Sequence, residues 1–253
     1  MENSLVSIIM PAYNAEKFIS ESIMSVINQS YKNWELLIVN DCSKDSTQKI
    51  VESYCLIDRR IKLFVQEKNK GVVEARNRAL KESCGQYIAF LDSDDLWEKN
   101  KLEVQIEYMK MNKIYMTYTE YSYISEVGKF IKKISIPKKL NYKQALKGNQ
   151  IGCLTVVIDK SKVGDFEMPN LKHEDYATWL NILRNNIVAY GIQKDLAKYR
   201  KVSNSLSSNK LKTIKWTWLI FRKNQNLDIV RSSVYLFNHL FLGAKKHFLG
   251  EKK

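Results

Sequence analysis

The sequence predicts an α/β protein built on a mostly parallel sheet flanked by helices. Three observations carry that expectation. Short apolar runs alternate with amphipathic stretches over residues 5–113, the connections between them are a few residues long, and polar clusters stand where the apolar runs end. Strands and helices in strict alternation imply parallel pairing, right-handed crossovers and helices on both faces.

The elements follow in order. Residues 5–10 form an apolar run that Pro11 is expected to stop. Residues 16–29 place Phe18, Ile19, Ile23, Val26 and Ile27 at helical spacing, so one face is buried. Residues 34–39 are a second strand, broken by Asn40 and Asp41. Residues 43–54 read as a helix with Ser43 or Asp45 available as its cap. Residues 61–66 are a third strand, Asn69 to Gly71 a turn, and 72–83 a helix. Residues 86–91 are a fourth strand and 99–113 a fourth helix.

Beyond residue 114 the pattern becomes mixed. Strands are expected at 115–119 and 129–136, joined as a hairpin through Glu126 to Gly128, and again at 154–159, 188–192 and 195–200. Helices are expected at 142–147 and 176–185, and a polar loop at 203–210. This half is expected to be smaller and to pack against the first. The chain then divides into 1–115 and 116–205, two halves of one domain, and 206–253, a basic amphipathic helical tail.

Composition bounds the function. The chain has 253 residues, 45% hydrophobic and 27% charged, which suits one large α/β domain or two small ones. Its net charge of +14 points to nucleic acid, an anionic membrane surface or phosphorylated substrates. No nucleic-acid-binding signature accompanies that charge. Cys42, Cys55, Cys84 and Cys153 form no C-x-x-C pair, as expected of free thiols in a reducing compartment. Residues 1–4 show no signal-peptide pattern, so none is expected ahead of the first strand, and no uncharged apolar stretch reaches the length of a bilayer span.

The chemistry concentrates at Tyr87-Ile-Ala-Phe-Leu-Asp-Ser-Asp-Asp-Leu-Trp97. An apolar strand ends abruptly in Asp92, Asp94 and Asp95. Carboxylates one residue apart at a strand end can share a hard cation that keeps positions open for substrate phosphates. An ordinary turn or helix cap is the plain alternative. Ligands of doubly wound sheets bind at the carboxyl ends of the strands. Tyr13 and Asn14, Asp41, the 69–76 loop and Asp92 to Asp94 all fall at that rim.

These blocks resemble the family-2 glycosyltransferases of GT-A fold. The resemblance is carried by Val6 to Asn14, Trp34 to Ser46, Asn69 to Asn77 and Gly85 to Asp95, and more weakly by His173 to Trp179 and Tyr199-Arg200. It covers about four-fifths of the chain. It implies inverting transfer of a sugar from a nucleotide donor, typically a UDP-sugar, to an acceptor hydroxyl. Pro11, Ala12, Tyr13 and Asn14 would line the nucleotide pocket. Asp41 would bond the base and Arg76 face the nucleotide. Asp92 would meet the ribose with Ser93 beside it, and Asp94 would hold Mn2+ or Mg2+ against the diphosphate. Asp175 matches the family's general base. His173 is a secondary candidate for orienting leaving group or acceptor.

The plain readings stand beside these. Asp41 suits a turn, Arg76 a solvated helical face, and Glu174-Asp175 a helix N-terminus, where the dipole favours acids. Trp97 and Trp179 suit either sugar stacking or core, and Leu154-Thr155 either an acceptor pocket or a buried strand. A nucleotidyltransferase on the same scaffold would want a Gly-rich loop near strand one, which Met10 to Asn14 lacks. A catalytically inactive binding protein is the other alternative.

From Leu206 onward the chain holds ten Lys or Arg and two acids. Val234, Phe237, Phe241, Ala244 and Phe248 recur at helical spacing beside Lys245, Lys246 and His247. Such a basic amphipathic tail suits an anionic membrane surface, or packing on the domain. With the resemblance, it implies a polyprenyl-linked or other glycan acceptor used in surface polysaccharide, lipopolysaccharide or glycolipid synthesis. The location implied is cytoplasmic and peripheral, on the inner face of the cytoplasmic membrane.

Overall fold

The computed structural model describes residues 4–202 and 210–249. One sheet of ten strands runs through it, in the order β3-β2-β1-β4-β9-β6-β10-β5, with β7 beside β6 and β8 beside β10. The first half is the expected alternation. It comprises β1 Val6–Ala12, α1 Ile19–Ile27, β2 Trp34–Asn40, α2 Thr47–Ile57, β3 Ile61–Val65, α3 Val72–Glu82, β4 Tyr87–Phe90, β5 Leu96–Trp97 and α4 Lys101–Asn112. Strands β3, β2, β1 and β4 are parallel neighbours.

The strands read as continuous apolar runs because both of their faces are covered. Val6, Ile8 and Met10 alternate with Ile9, and Leu36 and Ile38 with Leu37 and Val39, between two cores. The first set packs on α1, α2 and α4. The second packs on α3 and on helices of the second half.

The second half extends the same sheet. It comprises β6 Met116–Ile124, β7 Phe130–Ile134, β8 Lys139–Leu140, α5 Tyr142–Ala145, β9 Val157–Asp159, α6 Lys160–Val163, α7 Glu174–Leu183 and β10 Ala189–Arg200. β9 is antiparallel to both β4 and β6, and β10 is parallel to β6. Two reversals restore the direction, so β4, β6 and β10 end at one rim.

Two expectations are corrected. Pro11 does not end β1, which pairs with β2 as far as Ala12. Ile9 O accepts from Leu91 N, and Ala12 O from Asp41 N, so alternate residues bond alternate sides. Pro11 therefore faces the β4 side, where pairing has ended at Ile9, and its missing N–H costs no ladder bond. The expected strands at 188–192 and 195–200 are one strand, β10, with register shifts between Ile192 and Asp195 and between Asp195 and Lys198. Those irregularities absorb the break in the apolar pattern.

Two further helices close the chain. α8 Lys210–Leu219 runs into a π turn at Ile220–Asn224, and α9 Ile229–Leu249 follows. Ile220 and Phe221 are fully buried in the core that holds α3 and α7. The expected polar loop at 203–210 lies, except for its last residue, outside the described residues. Among the described residues no helix is long and apolar enough to cross a membrane.

Candidate active site

The rim is laced together loop by loop. Asn14, with φ of 46°, turns its backbone so that its N–H donates to Ser43 Oγ (3.0 Å) and its Oδ1 accepts from Lys44 N (2.8 Å). Ala15 N donates to Thr47 Oγ1 (2.7 Å), and Ser46 N to Glu16 Oε2 (2.8 Å). The loops after β1 and β2 are thus one unit. Pro11 and Ala12 are buried beneath it, and Tyr13 stands half-exposed at its edge.

Asp41 is buried and serves the next loop. Its Oδ1 accepts from Gln66 Nε2 (2.8 Å) and Lys70 N (2.7 Å), and its Oδ2 from Gly71 N (2.7 Å). Gly71 has φ of 88°, a conformation glycine adopts at no steric cost, and it begins α3. The carboxylate thereby holds the turn that launches the helix carrying Arg76.

Arg76 is not on a solvated face. It is 4% exposed, on the same side of α3 as Ala75, Ala79 and Leu80. One guanidinium nitrogen pairs with Asp92 Oδ1 at 2.6 Å and the other with Glu174 Oε1 at 2.5 Å. Burial opposes its charge, yet Asp92 and Glu174 hold it well above its ordinary pKa.

The carboxylate turn is braced from β10. Asp95 N donates to Asp92 O (3.1 Å), closing the turn through Ser93 and Asp94. Arg200 N donates to Asp95 Oδ1 (2.9 Å) and Arg200 Nε to Asp94 O (2.9 Å), while Arg200 also pairs with Glu21 at 2.6 Å. Asp95 is buried with Oδ2 unpartnered, and burial and the Asp94 charge push its carboxyl well up. Asp94 is pushed up to about 6, by burial first and then by Asp92. A crowded set of oxygen donors short of positive charge fits a hard divalent cation, which would be held by Asp94. Among the described residues no group of three His, Cys, Asp or Glu is placed to hold an ion.

Asp175 lies in the first turn of α7 and its Oδ1 accepts from its neighbour Tyr176 N (2.7 Å). Burial, and then Glu174, raise its carboxyl to about 6. Asp92 and Arg76 act on both Asp94 and Asp175, so the two carboxylates share one electrostatic neighbourhood. His173 caps α7 in the left-handed region and its ring lies 5.4 Å from that of Trp216 on α8. Burial pushes its imidazole down, and its Nε2 is buried without a partner.

Trp97 and Trp179 are core: both are buried, and Trp97 Nε1 donates to Leu154 O (2.8 Å). Leu154 and Thr155 are buried in a 3-10 turn before β9, at the rim. The four cysteines are free thiols. Sequence reasoning missed the Glu174 arm of Arg76 and the bracing by Arg200. The only available signal was the place of Arg76 on an apolar helical stripe.

Comparisons with known proteins give the family and the fold. Residues 7–163 match the family model described as "Glycosyl transferase family 2". The chain belongs to glycosyltransferase family 2. It is 45% identical over 90% of its length to a putative teichuronic acid biosynthesis glycosyltransferase, TuaG, of Bacillus subtilis, covering 92% of that protein. It is 46% identical over 98% of its length to the Escherichia coli protein WfgD, covering 96% of it. That relative is named a UDP-Glc:alpha-D-GlcNAc-diphosphoundecaprenol beta-1,3-glucosyltransferase. Among solved structures, S. aureus TarS with UDP-GlcNAc superposes with a TM-score of 0.70 at 22% identity, over 91% of this chain and 70% of that one. A Pyrobaculum calidifontis mannosyltransferase in complex with GDP-Man and Mn2+ superposes with a TM-score of 0.72 at 15% identity, over 93% and 70%. The fold of this family-2 glycosyltransferase is therefore GT-A, and the protein is an enzyme of sugar transfer.

Proposed function

We propose that the protein transfers a sugar, with inversion, from a UDP-sugar to a hydroxyl of a polyprenyl-diphosphate-linked glycan. The observation that carries this reading is the convergence of Asp92, Asp94 and Asp175 around buried Arg76. The names of the relatives support the donor and acceptor classes.

Each side chain has a role in this reading. Pro11, Ala12, Tyr13 and Asn14 wall the nucleotide, and Asp41 meets the base with the one lone pair its loop leaves open on Oδ2. Asp92 receives the ribose beside Ser93, and Asp94 holds Mn2+ or Mg2+. A divalent cation held there would supply positive charge against the departing diphosphate without proton transfer. Asp175 takes the acceptor's proton on the opposite face of the sugar. A carboxyl raised to about 6 is ionised at neutral pH yet basic enough for that task.

The tail completes the reading. α9 turns Tyr235, Leu236 and His239 toward the domain, while Val230, Val234, Phe237 and Phe241 stand 54–73% exposed along its outer side. An outward apolar stripe on a chain of net charge +14 suits an anionic lipid surface. The enzyme would work there as a peripheral protein on the inner face of the cytoplasmic membrane. The side chains of Ala244 to Phe248 lie outside those described.

The test is nucleotide release across UDP-, GDP- and dTDP-sugars, each with Mn2+, Mg2+ or chelator. Release from a UDP-sugar, lost with chelator and stimulated by a polyprenyl-diphosphate sugar, is expected. Release from none, with no metal-dependent nucleotide binding, would sink the reading.

A further inference from the structure

We propose that Glu174 is the positioning residue for Asp175, acting through Arg76, which bolts the first turn of α7 to the carboxylate end of β4. The proposal rests on the reading of Asp175 as the base. It changes the role of Arg76 from a nucleotide contact to a buried crosslink between the donor and acceptor sides of the site.

Three elements distant in sequence meet at this guanidinium. Arg76 comes from α3, Asp92 from the end of β4, and Glu174 from the first residue of α7. Both contacts are short, 2.6 and 2.5 Å, and the arginine is 4% exposed. Only a planar fork with fixed donor directions can hold two carboxylates in one geometry this way; a lysine is a single point charge. The third nitrogen, Nε, is buried and unpartnered. The two NH groups therefore carry all the side-chain bonds Arg76 makes among the described residues.

The first turn of α7 is held to α5 by Tyr176, whose hydroxyl donates to Ala145 O (2.9 Å), and its tie to the carboxylate end of β4 is through Glu174. Its cap, His173, is in the left-handed region with φ of 60°, after a segment without regular structure from residue 164. Asp175 Oδ1 bonds only its own backbone neighbour, so that bond does not place the helix against the sheet. Among the described residues, the one ion pair from this first turn to another element is Glu174 with Arg76. A misplacement of about 1 Å between base and acceptor costs on the order of 100-fold in rate. The crosslink supplies that registration, and it ties Asp92 to the same atom group.

The experiment is steady-state kinetics on the full chain with its donor and a polyprenyl-diphosphate acceptor. Glu174→Gln, Arg76→Lys, their double variant and Asp175→Asn are compared. Glu174→Gln is expected to lower kcat about 100-fold, with the donor Kd within about threefold of wild type. Arg76→Lys is expected to lose as much kcat, and the double variant no more than either single, because both break one device. Glu174→Asp, which keeps the charge on a shorter arm, is expected to regain part of the rate. Glu174→Gln also removes a negative charge beside Asp175, so the acid limb of its kcat profile is expected to move to lower pH. Glu174→Asp keeps that charge and is expected to leave the limb in place, so any rate it still loses reports position rather than charge. A Glu174→Gln enzyme within threefold of wild-type kcat, or losses that multiply in the double variant, would overturn the proposal. Should Glu174→Gln not fold, Glu174→Asp with Arg76→Lys carries the same test of additivity. An inactive Asp175→Asn beside a fully active Glu174→Gln overturns the positioning role alone. An active Asp175→Asn would overturn the base assignment itself.

Discussion

At the scale of single residues, the two raised carboxyls make separable predictions. Asp94→Asn is expected to abolish turnover and weaken metal-dependent UDP binding. Asp175→Asn is expected to abolish turnover but leave that binding nearly intact; calorimetry showing equal loss in both would defeat the division of roles. A base must be ionised to act, so turnover is expected to rise with pH through about 6, the value to which burial and Glu174 push Asp175. Stability runs the other way. A carboxyl whose pKa is raised by folding favours the native state fully below its unfolded value of about 4, and that contribution is lost as pH rises through about 6. Above pH 7, Asp175→Asn is therefore expected to raise the Tm by a few degrees, measured by thermal denaturation. These residues were legible in the sequence because strand ends and helix starts announce their polar groups. The partnership of Arg76 with Glu174 was not, since it spans 98 residues.

At the scale of elements, helix spacing in the first half was readable, and the strands were readable as apolar runs. What propensity could not decide was strand continuity. Pro11 continues β1 because its nitrogen, which has no N–H to donate, faces the side where pairing with β4 has ended, and β10 continues through its bulges because β6 pairs on either side of them. Packing at Gly85 illustrates the same dependence on neighbours. A Cβ there would lie 2.6 Å from Ser7 N, a backbone atom that cannot swing away. Gly85→Ala is expected to cost about 1–3 kcal/mol by urea denaturation. The tail helices belong to the core rather than trailing from it. Phe221 is fully buried, with its ring 6.4 Å from Tyr176 and 6.3 Å from Tyr235. Phe221→Ala is expected to destabilise the whole domain by about 3–5 kcal/mol, in one transition. A second, earlier transition confined to the tail would show that it folds apart.

At the scale of the whole molecule, charge and shape act together. The apolar stripe of α9 lies outside the core, so changing Val234, Phe237 and Phe241 together to Ser is expected to leave the Tm nearly unchanged. The same variant is expected to lose at least about tenfold in sedimentation with anionic vesicles, while neutral vesicles bind neither protein well. Wild-type protein that ignores anionic vesicles would set the stripe aside as a lipid surface.

The sequence by itself determined the class of fold and the rim at which its polar groups and carboxylates gather. Each of those depends on short-range pattern: period two or 3.6, Gly and Asn at turns, acids at strand and helix ends. Only the tertiary structure decided that the second half continues the first sheet, that Arg76 is a buried crosslink, and that one face of the tail is core while the other is open. The reason is physical. Which strand edge is free, which charge is paired and which helix face is covered depend on neighbours remote along the chain, and no local pattern records them.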